Sequence, residues 1–252
     1  MSGGKRAFVV GINGKMGRIL AESAAEYGYT VVGGLDVVSD GNNVFDSAGK
    51  VNIQYDVVID FSRASEQTLG ATIALCSDAD TPAVIATTGY SDEQLRRITE
   101  LSKRVPIFRS ANMSLGIAAV KAAATVAKSI LGDRYDIEIV EKHHREKLDA
   151  PSGTALMLAD ALTDKSNQVI NRSGKRKCGE VGITSVRGGN TVGEHEIGFY
   201  GDDEVVTVSH SALSRKLFAA GAFKAADFIA GMPPAMYGMD DLVRSLLNLT
   251  HS

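Results

Sequence analysis

Short apolar runs punctuate the first half of the chain: "AFVVGI", "TVVGGLDVV", "DVVIDFS", "PAVIATTG" and "VPIFRS". Segments of helical spacing lie between them, such as "GRILAESAAEYG". This rhythm predicts βαβ units and a parallel sheet. The pattern changes after about Asn112. A long helix of small and apolar residues follows, "GIAAVKAAATVAKSIL", and then strands of stricter alternation, "HEIGFYG" and "EVVTVSHSA". The polar turn "GDDE" between those two predicts an antiparallel hairpin. The segments "FKAADFIAG" and "DDLVRSLLNL" are helical again. The expectation is an α/β chain: a doubly wound domain over 1–112, an α+β domain with a mixed sheet over 113–217, and helices within 218–252 packing back on the first domain.

Composition narrows the classes. A length of 252 residues fits one large domain or two modest ones, and 44% hydrophobic residues suffice for a sizeable core. A net charge of −3 argues against general nucleic-acid binding, which favours a clearly basic domain. Cys76 and Cys178 form neither a metal spacing nor a disulfide framework, so no metal is expected and a reducing, cytoplasmic setting is. The N-terminal apolar run is too short for a signal peptide. No stretch approaches the roughly 18 apolar residues of a membrane span, so no membrane partner is expected.

Two segments carry candidate chemistry. In "FVVGINGKMGRIL", Gly11, Gly14 and Gly17 follow a strand and open a helix. Glycines there let the backbone turn tightly and approach a pyrophosphate, and the helix N-terminus offers free N–H groups to it. A second strand ends in Asp36, placed to accept hydrogen bonds from adenosine ribose hydroxyls. A bare glycine turn without any ligand is the plainer alternative; the flanking strand, helix and acid favour the dinucleotide. Ser62, Thr87 and Thr88 end further strands, where ligands of open parallel sheets lie, or else they cap helices.

The second segment is "VEKHHREKLDAPSGTAL". A strand ends in His143 and His144, a loop carries Lys147 and Asp149, and Ser152 suits a helix N-cap. Gly153 and Thr154 then open the helix with its first N–H groups, which suit a carboxylate. His or Lys can deliver a proton as hydride adds to a C=O or C=N carbon. A solvated basic turn with a structural histidine is the competing reading.

The pattern E-x-H-H-x-x-K-x-D-A-P-S-G-T-A stands here from Glu141 to Ala155, and G-x-x-G-x-M-G from Gly11 to Gly17. With "SVRGGNTVGEHEIGF" and "HSALSRKLFAAGAFKAA", nearly the whole chain resembles the dihydrodipicolinate reductase family. The resemblance implies a Rossmann-type dinucleotide-binding domain and a substrate-binding and oligomerisation domain. It implies reduction of a cyclic C=N dicarboxylate with NADH or NADPH, in the diaminopimelate route to lysine, by a homotetramer. It places proton donation on His143 and Lys147, and substrate contacts on His144, Gly153 and Thr154. Cofactor contacts would fall on Gly11, Ile12, Asn13, Gly14, Lys15, Met16, Asp36, Ala86, Thr87, Thr88, Ser110, Ala111, Asn112 and Met113. Ala86 stands where the family commonly has glycine, and Val37 where some members carry arginine. With no arginine after Asp36, NADH is expected to be preferred modestly over NADPH. Another dehydrogenase of an aspartate-like substrate, or a nucleotide sensor without turnover, are the rival readings.

Overall fold

The computed structural model describes residues 4–39 and 43–248. The chain divides into two compact units, one of Met1–Ser114 with Arg215–Ser252, the other of Leu115–Ser214. The first holds strands β1 (Lys5–Val10), β2 (Tyr29–Leu35), β3 (Val44–Phe45), β4 (Val57–Asp60), β5 (Ala83–Ile85), β6 (Ile107–Arg109) and β12 (Met236–Tyr237). They form one sheet in the order β12-β6-β5-β4-β1-β2-β3, and every pairing in it is parallel. Ala7 to Val10 and Val58 to Ile59 are fully buried, as strands covered on both faces must be.

Among the described residues, five α-helices belong to this unit: α1 (Lys15–Ser23), α2 (Glu66–Asp78), α3 (Asp92–Ser102), α6 (Lys216–Ile229) and α7 (Met239–Asn248). Helix α1 starts directly on the glycine turn after β1. A Cβ at Gly17 would lie 2.2 Å from the Gly11 carbonyl oxygen and 2.4 Å from that of Ile12, so only glycine lets the helix sit this close. The returning helix α6 is fastened by Phe223, whose ring lies 5.3 Å from Tyr27 and 5.0 Å from Tyr29.

The second unit holds β7 (Asp136–His143), β8 (Gln168–Ile170), β9 (Val181–Arg187), β10 (Glu194–Tyr200) and β11 (Val205–Ser211), with α4 (Leu115–Leu131) and α5 (Gly153–Asp160). The sheet order is β11-β10-β7-β9-β8. β10 runs antiparallel to β7 and β11, while β7 and β8 run parallel to β9, which makes the sheet mixed. One face is apolar at one end: Ile137, Ile139, Val181, Ile183, Ile197 and Phe199 pack with Val120, Ala124 and Leu158 of the helices. Following the same alternation along the strands, that face turns polar at its other end, with Glu141, His143, Arg187 and His195. The opposite face exposes Val186, Tyr200 and Val205.

Among the described residues, the segment Leu115–Arg134 has an 18-residue window of mean hydropathy 1.4, a value that length and composition alone give to core helices as well as to membrane spans. The alanines raise its hydropathy without forming a conspicuous apolar run, and Val120 and Ala124 spend their apolar surface on the core of the second sheet.

Candidate active site

In the first unit the expected residues gather at the carboxyl ends of adjacent strands. Gly11 leaves β1 with φ +84°, and its N–H donates to the Leu35 carbonyl at 2.8 Å. Gly14 is the N-cap of α1, and no side chain caps that helix. Gly14 cannot supply the usual oxygen, so no side chain takes up the first-turn N–H groups of Lys15, Met16 and Gly17. Asp36, just past β2, accepts from Asn13 N at 2.9 Å through one oxygen and from Val37 N at 2.8 Å through the other. That fastens the acid to the glycine turn and leaves each oxygen a further lone pair. Ile12 and Asn13 form the turn itself, with Asn13 Nδ2 reaching the Val38 carbonyl at 3.3 Å.

Ala86, Thr87 and Thr88 follow β5, and Ser110 to Met113 follow β6. Two of these side chains are turned away from solvent. Thr87 is 4% exposed and donates its hydroxyl to Asp60 at 2.8 Å. Met113 is buried in the core. Ser110 Oγ closes a local turn on the Asn112 carbonyl at 2.7 Å, and Asn112 Oδ1 receives Ser114 N at 2.8 Å.

The second unit assembles its site around Glu141, which is fully buried. In the parallel β7–β9 register His143 stands beside Arg187, and in the antiparallel β7–β10 register Glu141 stands opposite His195. Arg187 grips the Glu141 carboxylate with two nitrogens, Nη2 to Oε1 at 2.6 Å and Nη1 to Oε2 at 2.8 Å. Its Nη2 also donates to the Asp149 carbonyl at 2.6 Å. Glu141 receives Ser152 N at 3.1 Å and is hydrogen-bonded to His143 Nδ1. Burial alone drives its carboxyl upward, but the donors from Arg187, His143 and Ser152 prevail and hold it at about 2. The carboxylate is therefore ionised at neutral pH, and it fixes His143 with Nδ1 inward.

The far side of that buried imidazole meets a glycine. A Cβ at Gly193 would lie 3.0 Å from His143 Nε2, so glycine there clears space around the nitrogen that can exchange a proton. Burial lowers the His143 pKa, against the pull of Glu141. Ser152 caps α5, its Oγ accepting Ala155 N at 3.1 Å, so the first turn at Gly153 and Thr154 begins at this polar end. Lys147 pairs with Asp149 at 2.8 Å, on the loop that carries His144. A buried His195 completes the cluster: its Nε2 lies 3.2 Å from Ser152 Oγ and its ring 5.2 Å from that of His143.

Residues 5–113 match the family model described as dihydrodipicolinate reductase, N-terminus, and residues 116–243 match its C-terminus. The chain belongs to the dihydrodipicolinate reductase family. A 4-hydroxy-tetrahydrodipicolinate reductase of Clostridium tetani is 43% identical over 250 residues, covering 95% of this chain and 97% of that protein. One of Caldanaerobacter subterraneus is 46% identical over 249 residues, covering 95% and 98%. Among solved structures, a dipicolinate-bound dihydrodipicolinate reductase from Paenisporosarcina superposes with a TM-score of 0.75 at 24% identity, covering 93% of this chain and 97% of that one. GenD2 from gentamicin A biosynthesis, in complex with NAD, gives 0.61 at 13% identity, covering 96% and 91%. These last two establish the fold.

Sequence reasoning within this reductase family signature named Glu141 without a role, and passed over Arg187, Gly193, His195 and Asp60. The signal for Glu141, Arg187 and His195 is strand register. Glu141 and His143 share a face by alternation, but their partners across β9 and β10 appear only once pairing is known.

His195 makes a prediction about stability. Burial, with His143 next, lowers its pKa to about 4 from an ordinary 6.5. As pH falls below 6.5 the unfolded chain takes up the proton first, so stability is full above that value and declines toward pH 4. This one residue accounts for up to about 3 kcal/mol of the decline. Urea unfolding should therefore show His195→Gln with a shallower loss between pH 7 and pH 4.5 than the parent. Parallel pH profiles would show that His195 titrates normally in the fold.

Proposed function

We propose that this chain reduces 4-hydroxy-tetrahydrodipicolinate, or its dehydrated imine, to tetrahydrodipicolinate in the diaminopimelate route of lysine biosynthesis. The observation that carries the proposal is the anchored imidazole: His143 with Glu141 on Nδ1, Gly193 beside Nε2, and a capped helix start close by in sequence and structure.

The reduced nicotinamide supplies the hydride when bound. The uncapped N-terminus of α1 suits its pyrophosphate, through the N–H groups of Lys15 and Met16. Asp36 suits the adenosine ribose. Ala86 to Thr88 and Ser110 to Met113 border the cofactor mainly through backbone, since Thr87 and Met113 keep their side chains inward. NADH is preferred, modestly, because Asp36 repels a 2′-phosphate and Val37 offers no cation, while Lys15 can still serve NADPH as a point charge.

In the second unit, the α5 N-terminus at Gly153 and Thr154 holds one substrate carboxylate, and His144 adds a contact. Protonated His143 donates from Nε2 to the heteroatom or carbon on which negative charge develops, and Glu141 steadies the resulting charge change. Lys147, held in place by Asp149, supplies the second positive group, for orientation or for the proton. The open face with Val186, Tyr200 and Val205 is the assembly surface of a homotetramer, which sedimentation of the purified chain tests. The setting is cytoplasmic, where both nucleotides and the pathway's precursors are made.

A coupled assay tests the reading: pyruvate and aspartate semialdehyde pass through a synthase, and loss of reduced cofactor is followed. His143→Ala and Lys147→Ala should each lower kcat by about two decades or more in folded protein. The parent should show a higher kcat/KM with NADH than with NADPH. No turnover by a parent that binds NADH would indicate a sensor. Near-parental kcat in either variant would make that residue structural. An NADPH preference of tenfold or more would show Lys15 outweighing Asp36.

A further inference from the structure

Asp60 ends β4 with its side chain fully buried. One oxygen, Oδ1, accepts from Ser62 N at 2.9 Å, Ser62 Oγ at 2.6 Å and Thr87 Oγ1 at 2.8 Å. The other, Oδ2, accepts from Thr72 Oγ1 at 3.0 Å and Tyr90 OH at 3.3 Å. A hydroxyl proton rotates to suit its surroundings, whereas a carboxylate only accepts. Asp60 therefore takes the protons of both Ser62 and Thr87, and each oxygen turns its lone pairs elsewhere. The two oxygens lie 3.4 Å apart, with no proton left between them.

Of the pair, Ser62 is the half-buried one and Thr87 the buried one. Ser62 also lies against the glycine turn: a Cβ at Gly11 would be 3.0 Å from Ser62 Cα. β4 and β2 flank β1 on opposite sides. A dinucleotide whose pyrophosphate sits at the α1 N-terminus and whose adenosine meets Asp36 past β2 carries its nicotinamide toward β4. The N–H donors of that ring are on its carboxamide.

We propose that Asp60 is a positioning residue that fixes Ser62 as a hydrogen-bond acceptor and so selects the nicotinamide carboxamide. This rests on the cofactor placement proposed above. Asp60→Asn would present an N–H donor to the same hydroxyls, turn the Ser62 proton outward and set donor against donor at the carboxamide.

The test is binding to the intact chain, without substrate, of NADH and of reduced 3-acetylpyridine adenine dinucleotide, which has a methyl in place of the amide nitrogen. Fluorescence titration should show the parent favouring NADH by about tenfold, the scale of one hydrogen bond. In Asp60→Asn the NADH affinity should fall by about that factor and the analogue's should hold, so the preference disappears. Ser62→Ala, which leaves the buried carboxylate intact, should lose the same preference with an unchanged thermal midpoint, which keeps the test open if Asp60→Asn unfolds. Equal losses for both dinucleotides in the variants, or equal affinities in the parent, would overturn the proposal. A parent that binds neither dinucleotide would instead sink the cofactor placement itself, and the role of Asp60 with it.

Discussion

A carboxylate buried without compensation is among the costliest groups a fold can hold, and the second unit is organised around one. Glu141 has no exposure, and its charge is balanced by the two-pronged grip of Arg187. Breaking such a pair from one side typically costs about 3–5 kcal/mol, because it strands the other charge. The pair adds little net stability over an apolar replacement of the same shape. What it does supply is position. The same carboxylate holds His143 Nδ1 and Ser152 N, and the same guanidinium holds the Asp149 carbonyl. Imidazole, helix start and lysine loop are thus tied to one ion pair, although they lie on different elements.

The first unit uses the same device at the end of its own central strands. Asp60 sits at the last position of β4 as Glu141 sits near the last of β7, and each is surrounded by donors. In each case the strand's core face is apolar until its carboxyl end and then switches to a single buried acid. The acid does not touch solvent. It sets the orientation of the groups around it: hydroxyls after β4 and β5 in one unit, an imidazole and an N-cap in the other. Glycines finish both arrangements by removing Cβ atoms where approach is needed, at Gly17 beneath the turn and at Gly193 beside His143 Nε2.

Much of this was legible in the chain because local signals were strong. The glycine turn, the strand ending at His143 and the Ser152 cap each depend on neighbours within a few residues, and each stands where the pattern puts it. The strands β3 and β12 have two residues each, too short to carry a period, and β8 has only three. Thr87 shows a different gap. A threonine at a strand end suggests a ligand contact, yet its hydroxyl faces inward because Asp60, 27 residues earlier, lies beneath it. Arg187 and Glu141, 46 residues apart, meet only through sheet register. The alanine-rich α4 shows the converse, a segment whose composition alone would pass for a membrane span while two of its residues, Val120 and Ala124, serve a core.

The central claim is that Glu141 dictates the protonation geometry of His143. Nitrogen-15 chemical shifts of the labelled imidazole measure this directly, at a pH where the ring is neutral. The account requires the proton on Nδ1, shared with Glu141, and a bare Nε2, with that assignment lost in Glu141→Gln. A neutral His143 carrying its proton on Nε2 in the parent, or the same tautomer in parent and variant, would contradict it.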